Sequence, residues 1–172
     1  TLKLNTAGDY NTALGSGSVS NNTTGNNNVG IGVSAIFRNT TGNNNTAVGV
    51  NAGNNLDITD GSDGNNTFIG FKSGIGLITG KANTIIGANI NLGSFPAMSN
   101  NIIIGDGSGN QRINVDATGN IGIGTATPTA KLDVAGAIKV GNSISVAVAG
   151  MIRFNGTNFE GYNGTAWVQL NN

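Results

Sequence analysis

A five-residue unit recurs along the chain and restricts what it can fold into. Asparagine, a variable or β-branched residue, a second variable residue, a large aliphatic and glycine stand together as Asn11-Thr12-Ala13-Leu14-Gly15 and Asn28-Val29-Gly30-Ile31-Gly32. The unit returns as Asn45-Thr46-Ala47-Val48-Gly49, Asn66-Thr67-Phe68-Ile69-Gly70, Asn83-Thr84-Ile85-Ile86-Gly87, Asn101-Ile102-Ile103-Ile104-Gly105 and Asn120-Ile121-Gly122-Ile123-Gly124. The closing glycines are 17, 17, 21, 17, 18 and 19 residues apart, so 17 is the base period. That length is too short for two helices and suits one coil of a solenoid made of short strands and turns.

A second glycine precedes the closing one by seven residues at Gly8, Gly25, Gly42 and Gly80, which gives each repeat two corners. Side chains alternate along a strand, so the aliphatic before glycine and the residue two earlier share a face. The regularity of that pair predicts an inward stack of Leu14, Ile31, Val48, Ile69, Ile86, Ile104 and Ile123. Thr12, Val29, Thr46, Thr67, Thr84, Ile102 and Ile121 are expected beside them. The leading asparagine suits a corner because it tolerates left-handed backbone, and identical amides stacked at about 4.8 Å can form a ladder. Narrow rungs leave much apolar surface uncovered. Three parallel chains that bury the variable face of Ala13, Ala47, Phe68, Ile85 and Ile103 would remedy this, so a homotrimer is expected. The half-unit from Gly8 to Gly15 is already in register and no methionine opens the chain, so the array is expected to extend upstream of Thr1.

Charged residues are 9% of the chain, eight of each sign, and the basic ones are scattered singly from Lys3 to Arg153. No basic face for displacing counterions from phosphates can be assembled, so nucleic acid is not an expected partner. Histidine and cysteine are absent, which removes thiol nucleophiles, imidazole bases, disulfide frameworks and ordinary zinc sites. No apolar run is long enough to cross a bilayer as a helix, and no signal peptide is visible. The recurrence of Ile, Val and Leu at fixed places argues for order over a disordered polar tract of similar composition.

Two parts of the chain resemble known families. Asn44-Asn45-Thr46-Ala47-Val48-Gly49 and Asn27-Asn28-Val29-Gly30-Ile31-Gly32, each followed three places later by a small residue (Ala52, Ala35), are similar to the head repeats of trimeric autotransporter adhesins. That resemblance implies left-handed parallel β-rolls in trimers, with a repeat usually a little shorter than this one. Gly119-Asn120-Ile121-Gly122-Ile123-Gly124-Thr125, Pro128, Ala130-Lys131-Leu132-Asp133-Val134 and Gly150-Met151-Ile152-Arg153-Phe154-Asn155-Gly156 resemble bacteriophage tail fibres and related bacterial surface proteins. In these a β-rich shaft often precedes an endosialidase-type chaperone that can be cleaved away, and the resemblance implies that such a helical segment, which residues 1–172 do not include, was either removed or never part of this protein.

The 17-residue rule stops after Gly124, although alternation persists in Leu132/Val134, Ile138/Val140 and Ile144/Val146/Val148. Residues 125–150 are therefore read as a β connector after a solenoid shaft over 1–124. Asn155-Gly156 and Asn163-Gly164 separate alternating segments and predict a three-stranded antiparallel meander over 151–172. The fold class that follows is all-β, a parallel solenoid with a small meander. Phe159, Tyr162 and Trp167 in the meander are candidate glycan contacts, since sugar C–H faces stack on rings. Core packing is the plainer role for the same rings.

Asp57, Asp60 and Asp63 lie in the repeat that is four residues too long, and calcium favours such oxygen-rich loops. Their spacing matches neither an EF-hand nor a nonapeptide calcium roll, so an exposed polar insertion is the simpler reading. Gly105-Asp106-Gly107-Ser108-Gly109 lacks the lysine and helix start of a phosphate loop. Scattered carboxylates show no pair set in apolar context, as a glycosidase requires. The chain is thus expected to be a non-catalytic, extracellular attachment fibre without cofactor, with a host-surface glycan or protein as receptor. A phage tail fibre leads and a bacterial surface adhesin or injection-system fibre follows. An ice-binding solenoid is the remote alternative, disfavoured by placing the regular threonines inward.

Overall fold

The computed structural model describes residues 1–141 and 147–170, and among them all regular secondary structure is β. Two compact units are present, Thr1–Ala135 and Gly136–Asn172. In the first, the strands β1 (Thr12–Leu14), β2 (Val29–Ile31), β3 (Thr46–Val48), β4 (Thr67–Ile69), β5 (Thr84–Ile86) and β6 (Ile102–Gly105) coincide with the repeat unit. Each pairs parallel with the next and in register, from Thr12 opposite Val29 to Ile86 opposite Ile104. This is the parallel β-solenoid that the period predicts.

The side-chain assignment is the reverse of the expected one. The variable middle position faces inward: Ala47, Phe68, Ile85 and Ile103 are fully buried. Leu14, Ile31, Val48, Ile69, Ile86, Ile104 and Ile123 are all exposed. Thr12, Val29, Thr46, Thr67, Thr84, Ile102 and Ile121 lie on that same outer face, exposed or half-buried. The face that a trimer was expected to cover is therefore already enclosed by each chain's own coil.

Matched volumes explain why the inner rank varies. Ala35, Ile36, Ala52, Leu56, Ile58, Leu77, Ile90 and Leu92, from the turns, pack against the strands as one core. Where the strand carries Gly30, a Cβ there would meet Val19 at 2.5 Å. Where it carries Phe68, the turns carry Gly53 and Gly74, and a Cβ on either would strike the Phe68 ring at 2.7 or 2.4 Å. At both of these levels small is set against large, which keeps the interior close-packed while the individual residues change.

The repeated polar residues have separate tasks. The leading asparagines from Asn28 to Asn101 are buried, and from Asn11 to Asn83 each Oδ1 accepts the backbone N–H of the next copy, as in Asn45 N to Asn28 at 3.0 Å, Asn83 N to Asn66 at 3.1 Å and Asn101 N to Asn83 at 3.0 Å. The Nδ2 groups of Asn45, Asn66 and Asn83 donate to the preceding Oδ1 at 3.1 Å. The amides also span the coil, from Asn28 Nδ2 to Gly42 O at 2.8 Å and from Asn66 Nδ2 to Gly80 O at 2.9 Å. The expected ladder is present, whereas the left-handed backbone belongs to the residue before it, at Asn27, Asn44, Asn65 and Asn100. The closing glycines stack on one another. Gly49 has φ of 135°, and a Cβ on it would lie 2.5 Å from Gly70 O of the next coil.

The seventh copy is not a further coil. β7 (Gln111–Val115) runs antiparallel to β6, and β8 (Ile121–Ile123) antiparallel to β7, while β9 (Leu132–Val134) returns parallel to β8. Two alike loops make these reversals, Asp106-Gly-Ser-Gly-Asn110 and Asp116-Ala-Thr-Gly-Asn120. In each, the aspartate Oδ1 accepts the N–H two residues on (2.9 Å at Ser108, 2.8 Å at Thr118) and four residues on (3.1 Å at Asn110, 2.9 Å at Asn120). Two short strands and two such loops use up about as many residues as one coil, so spacing alone did not separate the two outcomes.

In the second unit β10 (Ile152–Phe154), β11 (Phe159–Tyr162) and β12 (Trp167–Gln169) form the predicted antiparallel meander. Its turns use asparagine as an acceptor: Asn155 Oδ1 takes the N–H of Thr157 at 2.9 Å and of Asn158 at 2.8 Å, and Asn163 Oδ1 takes those of Thr165 and Ala166, both at 2.9 Å. The alternation read at Ile138/Val140 forms no strand, and Ile144 and Val146 lie outside the described residues.

Candidate functional site

The outer face of β1 to β6 is an exposed surface that the repeat builds, and it is rich in aliphatic residues. The first rank is Thr12, Val29, Thr46, Thr67, Thr84 and Ile102, and the second is Leu14, Ile31, Val48, Ile69, Ile86 and Ile104. A third rank follows the closing glycines: Ser16, Val33, Val50, Phe71 and Ala88. No charged residue stands in the first two ranks, and the third ends at Asp106, which follows Gly105. Exposure in the second rank runs from 36% at Ile31 to 66% at Leu14, and Val33, Val50 and Phe71 are exposed as well. Ten of these residues at about 40% of roughly 200 Å² each leave roughly 800 Å² of apolar surface, which is what each partner contributes to a stable interface. An apolar patch of that size, broken by the threonines of the first rank and by Ser16, marks an interaction surface. Lys72 is the nearest cation, with Nζ 5.1 Å from the Phe71 ring centroid.

Reading the sequence missed this face because it took the most regular aliphatics for the core. A usable signal was present: the middle position changes from glycine to phenylalanine in concert with residues in the turns, which is the behaviour of an interior.

In the meander the three candidate glycan residues do not converge. Tyr162 and Trp167 share one face, with ring centroids 5.2 Å apart, beside Arg153 and Glu160. The Arg153 guanidinium lies 4.1 Å over the Trp167 ring, and its Nε donates to Glu160 Oε2 at 2.7 Å. Phe159 is on the opposite face, 5.2 Å from Phe154. Strand alternation sets Ile152, Val168 and Leu170 beside it, all exposed. One face is thus an aromatic and charged cluster with hydrogen-bonding groups, and the other is apolar.

Asp57, Asp60 and Asp63 do not assemble a cation site. Asp60 Oδ2 is paired with Lys81 Nζ at 2.9 Å, and the Ser62 hydroxyl followed by the Lys81 ammonium holds its carboxyl well below the usual carboxylate range. Asp57 Oδ1 accepts the Thr40 hydroxyl at 3.1 Å. Among the described residues no three acidic, histidine or cysteine side chains group as metal ligands. Asp106 is likewise held below the ordinary range, by the Asn110 amide first and with Arg112 Nε at 2.9 Å contributing. Asp116 is lowered by the Asn120 N–H and the Thr118 hydroxyl. These carboxylates act as loop acceptors, and the Gly105–Gly109 segment is a hairpin turn as expected.

No protein-family model matches the chain, and no curated protein or solved structure matches it either. Among the described residues no helix is long and apolar enough to cross a membrane.

Proposed function

We propose that the chain is a non-catalytic segment of an extracellular attachment fibre, assembled as a homotrimer through the outer face of its solenoid. The observation that carries this reading is the three-rank apolar face. Its residues repeat at rung spacing, so a second copy in the same register meets like with like along the whole array. Such self-matching is what a symmetric assembly needs. The sequence resemblance to tail fibres and trimeric adhesins supplies the biological role: a virion tail, or alternatively a bacterial surface, with a host glycan or protein as receptor. The Tyr162, Trp167 and Arg153 cluster is the part of the meander best suited to a sugar, since it joins a ring face to polar groups.

The test has two arms. Light scattering of the purified chain is expected to give three times the monomer mass, and a persistent monomer would remove the assembly. Binding to intact bacterial cells is expected to fall when Trp167 is replaced by alanine and to persist when the exposed Ile152 is replaced by serine.

A second reading has one observation in its favour. The threonines face outward, so the ground on which ice binding was set aside does not hold. The ice-binding reading needs the face wet and the chain monomeric; a thermal-hysteresis measurement on a monomeric preparation decides it.

A further inference from the structure

The strands of the first unit form one sheet in the order β1 to β9, so β1 and β9 are its two edges. β7 reverses the direction and β8 reverses it again, and β9 is parallel to β8, so both edge strands run the same way. Their phase also agrees. Register carries the rank of Thr12 through Ile102, Val115 and Ile121 to Leu132, and that of Leu14 through Ile104, Ile113 and Ile123 to Val134. The main-chain groups left on the two edges are complementary. On β1, Thr12 N donates to Asn28 O at 2.8 Å and Leu14 O accepts Gly32 N at 2.7 Å, so this pair faces β2, while Asn11, Ala13 and Gly15 face away from it. On β9, Ala135 N donates to Ile123 O and Lys131 O accepts Ile121 N, both at 2.9 Å, so Lys131, Asp133 and Ala135 face β8, while Leu132 and Val134 face away. Each parallel step of the array sets such a pair against such a trio, as Thr12 and Leu14 against Asn28, Gly30 and Gly32. Among the described residues β9 therefore ends the sheet with a pair and β1 begins it with a trio. Leu14 is 66% exposed, against 36% at Ile31 and 44% at Ile123 in the same rank, and the excess is the surface that a strand beyond β1 covers.

We infer that the β9 edge of one chain takes the β1 edge of a second copy, parallel and in register, so that copies join end to end. Leu132 then lies beside Thr12, Asp133 beside Ala13 and Val134 beside Leu14. Unused edge groups are a template for a further strand, and direction and phase select which strand. A slip of one residue would turn the apolar ranks to the other side of the sheet. At the inner position Ala13 brings only a methyl group to Asp133, whose Oδ2 is already occupied by the N–H and the hydroxyl of Thr129, both at 3.0 Å. Each copy uses a different edge at each end, so the join is head-to-tail and repeats without closing. It leaves the outer face free and is separate from the lateral assembly proposed above.

The chain has no cysteine, so single introduced thiols report one contact each. Adjacent strands set paired Cα atoms about 4.8 Å apart, within the span of a disulfide. Thr12 and Leu132 are both exposed, and edges of three residues make a small contact, so the chains are mixed at high micromolar concentration. Under mild oxidation, ¹⁵N-labelled Thr12→Cys and unlabelled Leu132→Cys chains should give a covalent dimer with one chain of each, read by mass spectrometry. Val134→Cys in place of Leu132→Cys should cut the yield by about fivefold or more, since it stands two residues out of register and beyond disulfide reach. No mixed dimer, an equal yield from Val134→Cys, or Thr12→Cys linked only to itself overturns the join; the last is what lateral contact or head-to-head pairing of two β1 edges gives. Adding Ile69→Lys to both chains, which opposes lateral assembly, should leave the mixed product in place, and its loss there also overturns the join. Wild-type chains should sediment with an average mass that rises with concentration past that of one lateral assembly. A mass that stays constant overturns the join even where a cysteine variant fails to fold.

Discussion

Phe68 and Ile69 are neighbours on β4 that point to opposite sides of the strand, and substitutions at the two should fail in different ways. Phe68 is fully buried, with its ring fitted between Gly53 and Gly74, neither of which can move a side chain into the space. Phe68→Ala is therefore expected to cost about 3–5 kcal/mol of folding stability. Ile69 is 42% exposed in the single chain, so Ile69→Lys should change the stability of the monomer by no more than about 0.5 kcal/mol. In a trimer that covers the face, roughly 80 Å² is lost per copy, or about 2 kcal/mol at about 25 cal/mol per Å². Three copies sum to about 6 kcal/mol, which weakens trimer formation by about four powers of ten before the cost of three buried ammonium groups is added. Light scattering over a dilution series and thermal melting together separate the two effects. Ile69→Lys should yield folded monomers, and Phe68→Ala should lower the melting temperature at every concentration. Trimers of unchanged dissociation constant in Ile69→Lys would refute the assignment of the outer face to assembly.

Asn66→Leu should destabilise the fold by about 2–4 kcal/mol, read by denaturant unfolding, because it strips Gly80 O of its Nδ2 donor and the Asn83 N–H of its Oδ1 acceptor inside the coil. Asn39→Leu should cost less than half as much, since Asn39 Oδ1 is already unpartnered and the next coil holds Leu56 at the corresponding place. Gly49→Ala should destabilise by about 1–3 kcal/mol, from the left-handed φ and the clash with Gly70 O, as read by thermal melting. Asp106 and Asp116 have lowered pKa values in the folded chain, so their contribution is fully present above the ordinary carboxylate value of 3.8 and is lost as pH falls below it toward the folded value. Carboxyl-carbon NMR should place both midpoints under 3.8, and Asp106→Asn should flatten the acid limb of the stability curve.

The period, the strand positions, the amide ladder and the meander could all be read from residue spacing, because each is a local pattern that backbone geometry enforces. The facing of the strands could not be read from that spacing alone. With three residues per strand, the two possible facings differ only in which of Phe68 and Ile69 is enclosed, and both are apolar. The turns decide it through Val19 against Gly30 and through Gly53 and Gly74 against Phe68. These pairs join strand to turn, six to fifteen residues apart, and only a known coil shape brings them together. The hairpin at β7 escaped for a related reason: Asp106 and Asp116 open loops whose hydrogen bonds reverse the chain, yet the flanking Ile104, Ile113 and Ile123 pair as evenly as coil residues do. At the meander, composition marked the aromatics, but the register that separates Phe159 from Tyr162 and Trp167 depends on strand alternation across two turns.

The outer face also limits what the solenoid can do. A surface that fits ice must be flat and regular over many rungs, and a surface that fits another copy of itself need only repeat. The first rank alternates hydroxyl and methyl groups without order, as Thr12, Val29, Thr46, Thr67, Thr84 and Ile102. The third rank steps from Ser16 through Val33 and Val50 to Phe71 and back to Ala88, so its height changes by a full aromatic ring within two levels. A lattice of water cannot follow that profile. A symmetric partner can, because at the level of Phe71 each copy presents the same Phe71, and rings that meet around an axis prefer offset or edge-to-face contact to a flat wall. The irregularity that weakens the ice reading therefore adds register to the assembly: sliding one chain by a rung would set Phe71 against Val50 or Ala88 and leave a gap beside every ring.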